Sequence, residues 1–262
     1  MDSADSATDT ATTTEAHSHT HTHTTQEPSH FSTIKMTTQK HVYPITRYHL
    51  RNVFKSQDFQ KNLDQVIDTL ELGLESQFNV YQEGYSKDFL VSPVEVGFSD
   101  ECGSKEDFQL DDDPNVDEFG PSYTLLSLHS HPHGIFIPSD EDLSNLNFYR
   151  KLDSGWGIRT HPLSIILTHN DNITKLLIMQ EKGKFKHSNE EESTEIFESY
   201  HKYLDESNPK SVAEVLRESD RYNAVGFELN EKNLIKKHEI KKLSSFDFTP
   251  KIYDEDTFNK YY

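Results

Sequence analysis

The sequence predicts an α/β fold preceded by a low-complexity tail. Three observations carry that expectation. One long stretch repeats apolar residues at the three-four spacing of an amphipathic helix, several short runs have the apolar content or alternation of strands, and the two patterns interleave along the chain. Residues 1–40 are dominated by Asp, Ser, Thr and Ala and hold almost nothing to bury, so ordering them would not repay its entropy. Within this tail His17, His19, His21 and His23 alternate with Ser and Thr, a pattern that chelates a transition metal loosely and builds no fixed cage.

The first strand expected is Tyr43 to Leu50. A helix follows from Ser56 to about Leu74, where Phe59, Leu63, Val66, Ile67 and Leu70 share one face and Ser56 with Asp58 suits its start. Gln77 to Tyr81 alternates as a half-buried strand, and Gly84 ends it. Phe89 to Phe98 reads as the next strand, with Pro93 requiring an edge or a bulge. Residues 99–121, with Asp111, Asp112, Asp113 and Pro114 in succession, read as a long acidic loop. Tyr123 to Leu128 is a compact apolar strand, and a helix is expected from Ser139 to about Leu152. There Ser139 caps the N-terminus and Asp142 takes the capping-box position. Leu163–Leu167 and Ile173–Met179, joined through His169-Asn170-Asp171-Asn172, form a hairpin. Beyond residue 182 helices are expected at Glu190–Tyr203 and Ser211–Glu218 with a short strand at Ala224–Leu229, so residues 183–262 read as a mainly helical extension of a domain at 41–182.

Composition narrows the function. Of 262 residues, 26 are Lys or Arg and 45 Asp or Glu, a formal charge of −19 that argues against nucleic-acid binding and against docking on anionic lipid. No apolar run approaches the roughly 18–20 residues that span a bilayer, and no basic-then-apolar leader opens the chain, so a cytoplasmic location is expected. The single cysteine, Cys102, cannot supply a disulfide, a cysteine-based zinc knuckle or an iron–sulfur cluster, and its acidic neighbours disfavour a thiolate. The basic run Lys236, Lys237, His238, Lys241, Lys242 reads as an exposed face.

The informative segment is His129-x-His131, seven residues, then Ser139-x-x-Asp142. Histidines two apart on a strand project to the same face and reach one ion, while a carboxylate from the next helix approaches from the other side. Two nitrogens and one oxygen make a three-ligand zinc site with an open fourth position, the arrangement of catalytic rather than structural centres. His133 in the same loop, and the aromatic residues Phe148, Tyr149 and Trp156, read as an exposed loop residue and as packing.

These residues resemble the JAMM (MPN-plus, Jab-like) zinc metalloproteases, whose signature is a distant glutamate, His-x-His, seven residues and Ser-x-x-Asp. The match at His129, His131, Ser139 and Asp142 is complete in type and spacing, and Pro132 follows the second histidine as it commonly does in that family. The resemblance covers about residues 41–182. It implies a sandwich built on a mixed, curved sheet flanked by helices, with Zn2+ at the site. It also implies the activity of a deubiquitinase-like isopeptidase, a metallopeptidase that hydrolyses amide bonds after a ubiquitin-like modifier, with ubiquitin-like protein conjugates as substrate. By the same resemblance a glutamate is the general base and Ser139 donates a hydrogen bond to the oxyanion.

Counting back seven from Gly84 lands on Gln77, and an amide is no base. Glu75, two residues earlier on the same strand face, is the expected base, with Glu83 and Glu71 as alternatives. Two other functions compete: a non-catalytic MPN-type binding module, which would ordinarily lack the metal ligands, and a zinc amidohydrolase of small peptides on the same centre. Zinc nucleotide deaminases need more cysteines than this chain has.

Overall fold

The computed structural model describes residues 46–83, 87–97, 122–146, 158–182, 192–198, 204–230, 232–248 and 251–252. Every described residue belongs to one compact unit, Lys40–Tyr262. The tail, the acidic loop with Cys102, and Phe148, Tyr149 and Trp156 lie outside the described residues.

The first element corrects the expected strand. Residues Arg47–Lys55 form a helix, α1, because His49, Leu50, Val53 and Phe54 recur at helical spacing and are all buried. The apolar residues up to Leu50 alone look like a strand; the helical period emerges only when Val53 and Phe54 are included. Helix α2, Gln57–Glu71, starts at the expected cap, with Ser56 Oγ accepting the Phe59 N–H. Its face of Phe59, Leu63, Val66, Ile67 and Leu70 is buried as the spacing requires. Gly73, with φ of 74°, turns the chain into strand β1, Ser76–Glu83.

The segment expected as one strand at Phe89–Phe98 is two short ones, β2 (Phe89–Val91) and β3 (Glu95–Val96), both antiparallel to β1. Val80 faces Val91 while Gln77 faces Glu95, so one extra residue is accommodated around Pro93. The proline sits at a bulge on the outer side of the sheet, where its missing N–H costs no ladder bond.

Strand β4, Ser122–Ser130, runs antiparallel to β1 and parallel to β6, Leu163–Asn170. A parallel pair needs a crossover, and this one contains helix α3, described at residues 140–146, and the two-residue strand β5, Ile158–Arg159. Strand β7, Ile173–Glu181, closes the expected hairpin through Asp171 and Asn172, whose φ values of 51° and 60° suit a tight primed turn.

The chain beyond residue 182 returns to this sheet. Helix α4 spans Glu192–Phe197, α5 spans Pro209–Glu218, and β8, Tyr222–Glu228, pairs antiparallel with β7. A 3-10 turn at Glu239–Ser245 and strand β9, Lys251–Ile252, which pairs with β5, complete the described elements. Lys236, Lys237, His238, Lys241 and Lys242 are exposed. The main sheet has the order β2-β1-β4-β6-β7-β8, with β3 also on β1, so stretches 41–182 and 183–262 share one mixed sheet.

Helices cover both faces, which makes this an α/β layered fold. One face packs Phe78, Val80, Leu126, Leu128, Ile165, Leu167, Leu176 and Ile178 under α1, α2 and the 3-10 turn. The other packs Ile166, Leu177, Met179 and Ala224 under α3, α4 and α5. Burial on both sides is why β6 and β7 read as nearly continuous apolar runs. On β1 and β4 the second face changes character: Gln77, Asn79, Ser127 and His129 replace the aliphatic residues. The candidate site stands at the end of that polar strip.

Candidate metal centre

Strand β4 ends at Ser130, and its last residues are held on both sides. His129 faces Gln77 on β1 and Ile166 on β6. The Ser76 N–H donates to Ser130 Oγ at 2.9 Å, and the His131 N–H donates to the Leu167 carbonyl at 2.9 Å. The strand geometry therefore persists to His131, and both imidazoles leave on one face.

Asp142 arrives from the first turn of α3. The expected capping box is formed in full: Ser139 Oγ accepts the Asp142 N–H at 3.1 Å, and the Asp142 carboxylate accepts the Ser139 N–H at 2.7 Å. The same carboxylate faces His129 Nε2 at 3.0 Å through Oδ1 and His131 Nε2 at 3.5 Å through Oδ2. The two Nε2 atoms are 3.1 Å apart. His131 Nδ1 donates to the Ile135 carbonyl at 2.8 Å, which leaves a lone pair on Nε2 in the neutral ring. Gly134, with φ of 71°, permits the turn between them, and a Cβ there would lie 2.6 Å from Asn170 Nδ2.

Among the described residues, His129, His131 and Asp142 form a group that can hold a metal ion, with their ligand atoms within 4.8 Å of one another. Donors about 2.0–2.2 Å from one tetrahedral ion lie roughly 3.3 Å apart; here the two Nε2 atoms are 3.1 Å apart, and each faces a different oxygen of Asp142, His129 at 3.0 Å from Oδ1 and His131 at 3.5 Å from Oδ2. Two imidazole nitrogens facing each other beside a carboxylate require a cation or a proton between them, so the donor set fits a divalent ion.

The electrostatics agree. Burial opposes the charge on Asp142, yet the charge and hydrogen bond of His129, and then those of His131, hold its carboxyl well below the usual carboxylate range. Burial likewise opposes protonation of His131, but the hydrogen bond and charge of Asp142, the Ile135 carbonyl and the charge of Glu75 raise its pKa.

Glu75 thus stands near enough for its charge to be felt at His131. It precedes β1, and the β1–β4 register carried two residues beyond the Gln77–His129 pair sets it opposite His131. Gln77, on the same face, donates from Nε2 to Glu95 Oε2 at 2.8 Å. Glu71 is exposed at the end of α2, and the side chain of Glu83 lies outside the described residues. His133 is exposed in the loop, as expected.

Sequence reading missed the residues that brace this centre: Ser76 and Ser130, which lock the two strands, the Ile135 carbonyl, and Asp140 and Ser193. The first pair is visible only once the register is known, and the last joins residues 53 positions apart. No protein-family model matches this chain, and no curated protein matches it either.

Proposed function

We propose that the chain is a zinc-dependent metallo-isopeptidase of the JAMM type that hydrolyses amide bonds after a ubiquitin-like modifier. One observation carries the reading: the His129–His131–Asp142 cluster forms from the spacing His-x-His, seven residues, Ser-x-x-Asp, with a glutamate whose charge reaches it. The mixed sheet flanked by helices is compatible with the sandwich of that family. A metal-free binding module would have no need of two imidazoles and an ionised carboxylate converging on one point.

His129, His131 and Asp142 would hold the zinc. When bound, the ion supplies Lewis acidity toward a carbonyl oxygen and acidifies water. Glu75 takes the proton from the attacking water and returns it to the leaving amine. Ser139 already accepts one hydrogen bond at Oγ and keeps an O–H to donate to the tetrahedral oxyanion. Asp142 stays anionic throughout, and the Ile135 carbonyl keeps His131 in the tautomer that presents Nε2. The chain's acidic surface is consistent with a protein rather than a nucleic-acid substrate, in the cytoplasm.

The test is cleavage of a ubiquitin-like fusion by the zinc-loaded chain, compared with Glu75→Gln. The variant should keep its zinc and lose about 10²–10⁴-fold in rate. Cleavage of short peptides but not of the fusion favours the small-peptide amidohydrolase, and no zinc uptake with no turnover of either favours the binding module. Undiminished turnover by Glu75→Gln removes Glu75 from the mechanism.

A further inference from the structure

We propose that Asp140 and Ser193 form a latch that sets the position of Asp142, so that a residue of the C-terminal stretch outside the set His129, His131 and Asp142 helps to complete the metal centre. The inference rests on the metal-centre reading above and adds to it the part of the chain that the sequence motif leaves out.

Between His131 and Asp142 the backbone leaves the sheet. It crosses a loop at residues 132–139 that belongs to no regular element; the capping box fixes where α3 begins along the chain, and contacts from outside the motif must place that turn against the rest of the fold. Three bonds from the C-terminal stretch do so. The Phe136 N–H donates to the Glu206 carbonyl at 2.8 Å. Ser193 Oγ donates to the Pro138 carbonyl, and the Ser193 N–H donates to Asp140 Oδ1 at 2.6 Å. Ser193 is buried, so these bonds are shielded from competing water, and the one to the Asp140 carboxylate is charge-assisted. Beneath them Phe136, Leu143 and Leu146 pack in one apolar cluster with Ile196, Phe197 and Val212.

Helical geometry turns this contact into a lever. Residues two apart on a helix project about 200° from each other, so Asp140 and Asp142 leave the first turn of α3 in nearly opposite directions. Asp140 reaches α4, and Asp142 reaches the imidazoles. Fixing one side of the turn fixes its rotation, and with it the carboxylate on the other side. A ligand displaced by about an ångström no longer meets the ion on equal terms with its partners.

The test uses the full chain, freed of metal and titrated with zinc against a competing chelator. Asp142→Ala supplies the baseline for metal held elsewhere, including the histidine-rich tail. Asp140→Ala and Ser193→Ala should each raise the zinc Kd about 10- to 100-fold and alter the visible spectrum of the cobalt-substituted chain, which reports coordination geometry. Ser193→Thr keeps both the hydroxyl and the N–H and should restore wild-type binding. Asp140→Ala removes the acceptor of the Ser193 N–H and Ser193→Ala removes the hydroxyl bond to Pro138, so the double variant should lose more than either single variant. Should Asp140→Ala fail to fold, Ser193→Ala removes a single hydroxyl and carries the test. Variants that melt earlier but match the wild-type Kd and cobalt spectrum show a purely structural role and overturn the latch. A wild-type chain that takes up no metal above the baseline removes the centre itself and the latch with it.

Discussion

Asp142 meets three partners at once: the Ser139 N–H and the Nε2 atoms of the two imidazoles. That convergence gives the metal-free protein a distinct pH dependence. Asp142 has its pKa lowered on folding, so its contribution is present above the ordinary carboxylate range and is lost as pH falls through the depressed value. His131 has its pKa raised above 6.5, so its contribution is present below 6.5 and is lost as pH rises through the raised value. The metal-free chain should therefore lose stability on the alkaline side of the histidine range, and Asp142→Asn should flatten that step. Thermal melts of both proteins in chelator, from about pH 5 to about pH 9, check it; identical profiles would show that the ion pair does not form. Zinc affinity should fall on acidification, since protons and the metal compete for the same nitrogens and oxygens.

At the scale of elements, the contact that seats the C-terminal stretch is α5 on β8. A Cβ at Gly226 would run into the backbone of Pro209 and Lys210 at the start of α5, where no side chain can give way. Gly226→Ala should lower stability by about 1–3 kcal/mol, or roughly 2–4 °C in Tm per kcal/mol for a chain of this size. An unchanged melting temperature would mean that α5 does not rest on the sheet as described. Elements whose signals are local were legible in the sequence: α2 from its apolar period and Ser56 cap, the β6–β7 hairpin from its Asp171-Asn172 turn, and the kink at Pro93. The metal cluster was legible for the same reason, since His129, His131 and Asp142 all lie within one strand–loop–helix passage. The place of the candidate base was less so: Glu75 lies just ahead of β1, and what it faces depends on the β1–β4 register, which shifts between Val80 and Tyr81 and leaves Leu125 unmatched on β4. A count from Gly84 at the far end of β1 therefore says little about what faces His131. Helix α1 reads as a strand in the sequence because its apolar face begins only at His49, at the end of the apolar run Tyr43 to Leu50.

Over the whole molecule, the sheet is apolar on both faces from β6 to β8 and polar on one face along β1 and β4. The candidate centre lies where the helix-covered half meets the polar half, at the end of β4, with its third ligand delivered by the crossover that parallel pairing demands. No helix among the described residues is long and apolar enough to cross a membrane. The account stands on one divalent ion shared by two imidazoles and a carboxylate. Its most direct test is an anomalous-difference map at the zinc edge from crystals of the zinc-loaded chain. The account predicts one strong peak about 2.0–2.2 Å from a nitrogen of His129, a nitrogen of His131 and a carboxylate oxygen of Asp142. A map with no peak among these three side chains, or with zinc only elsewhere, would contradict it.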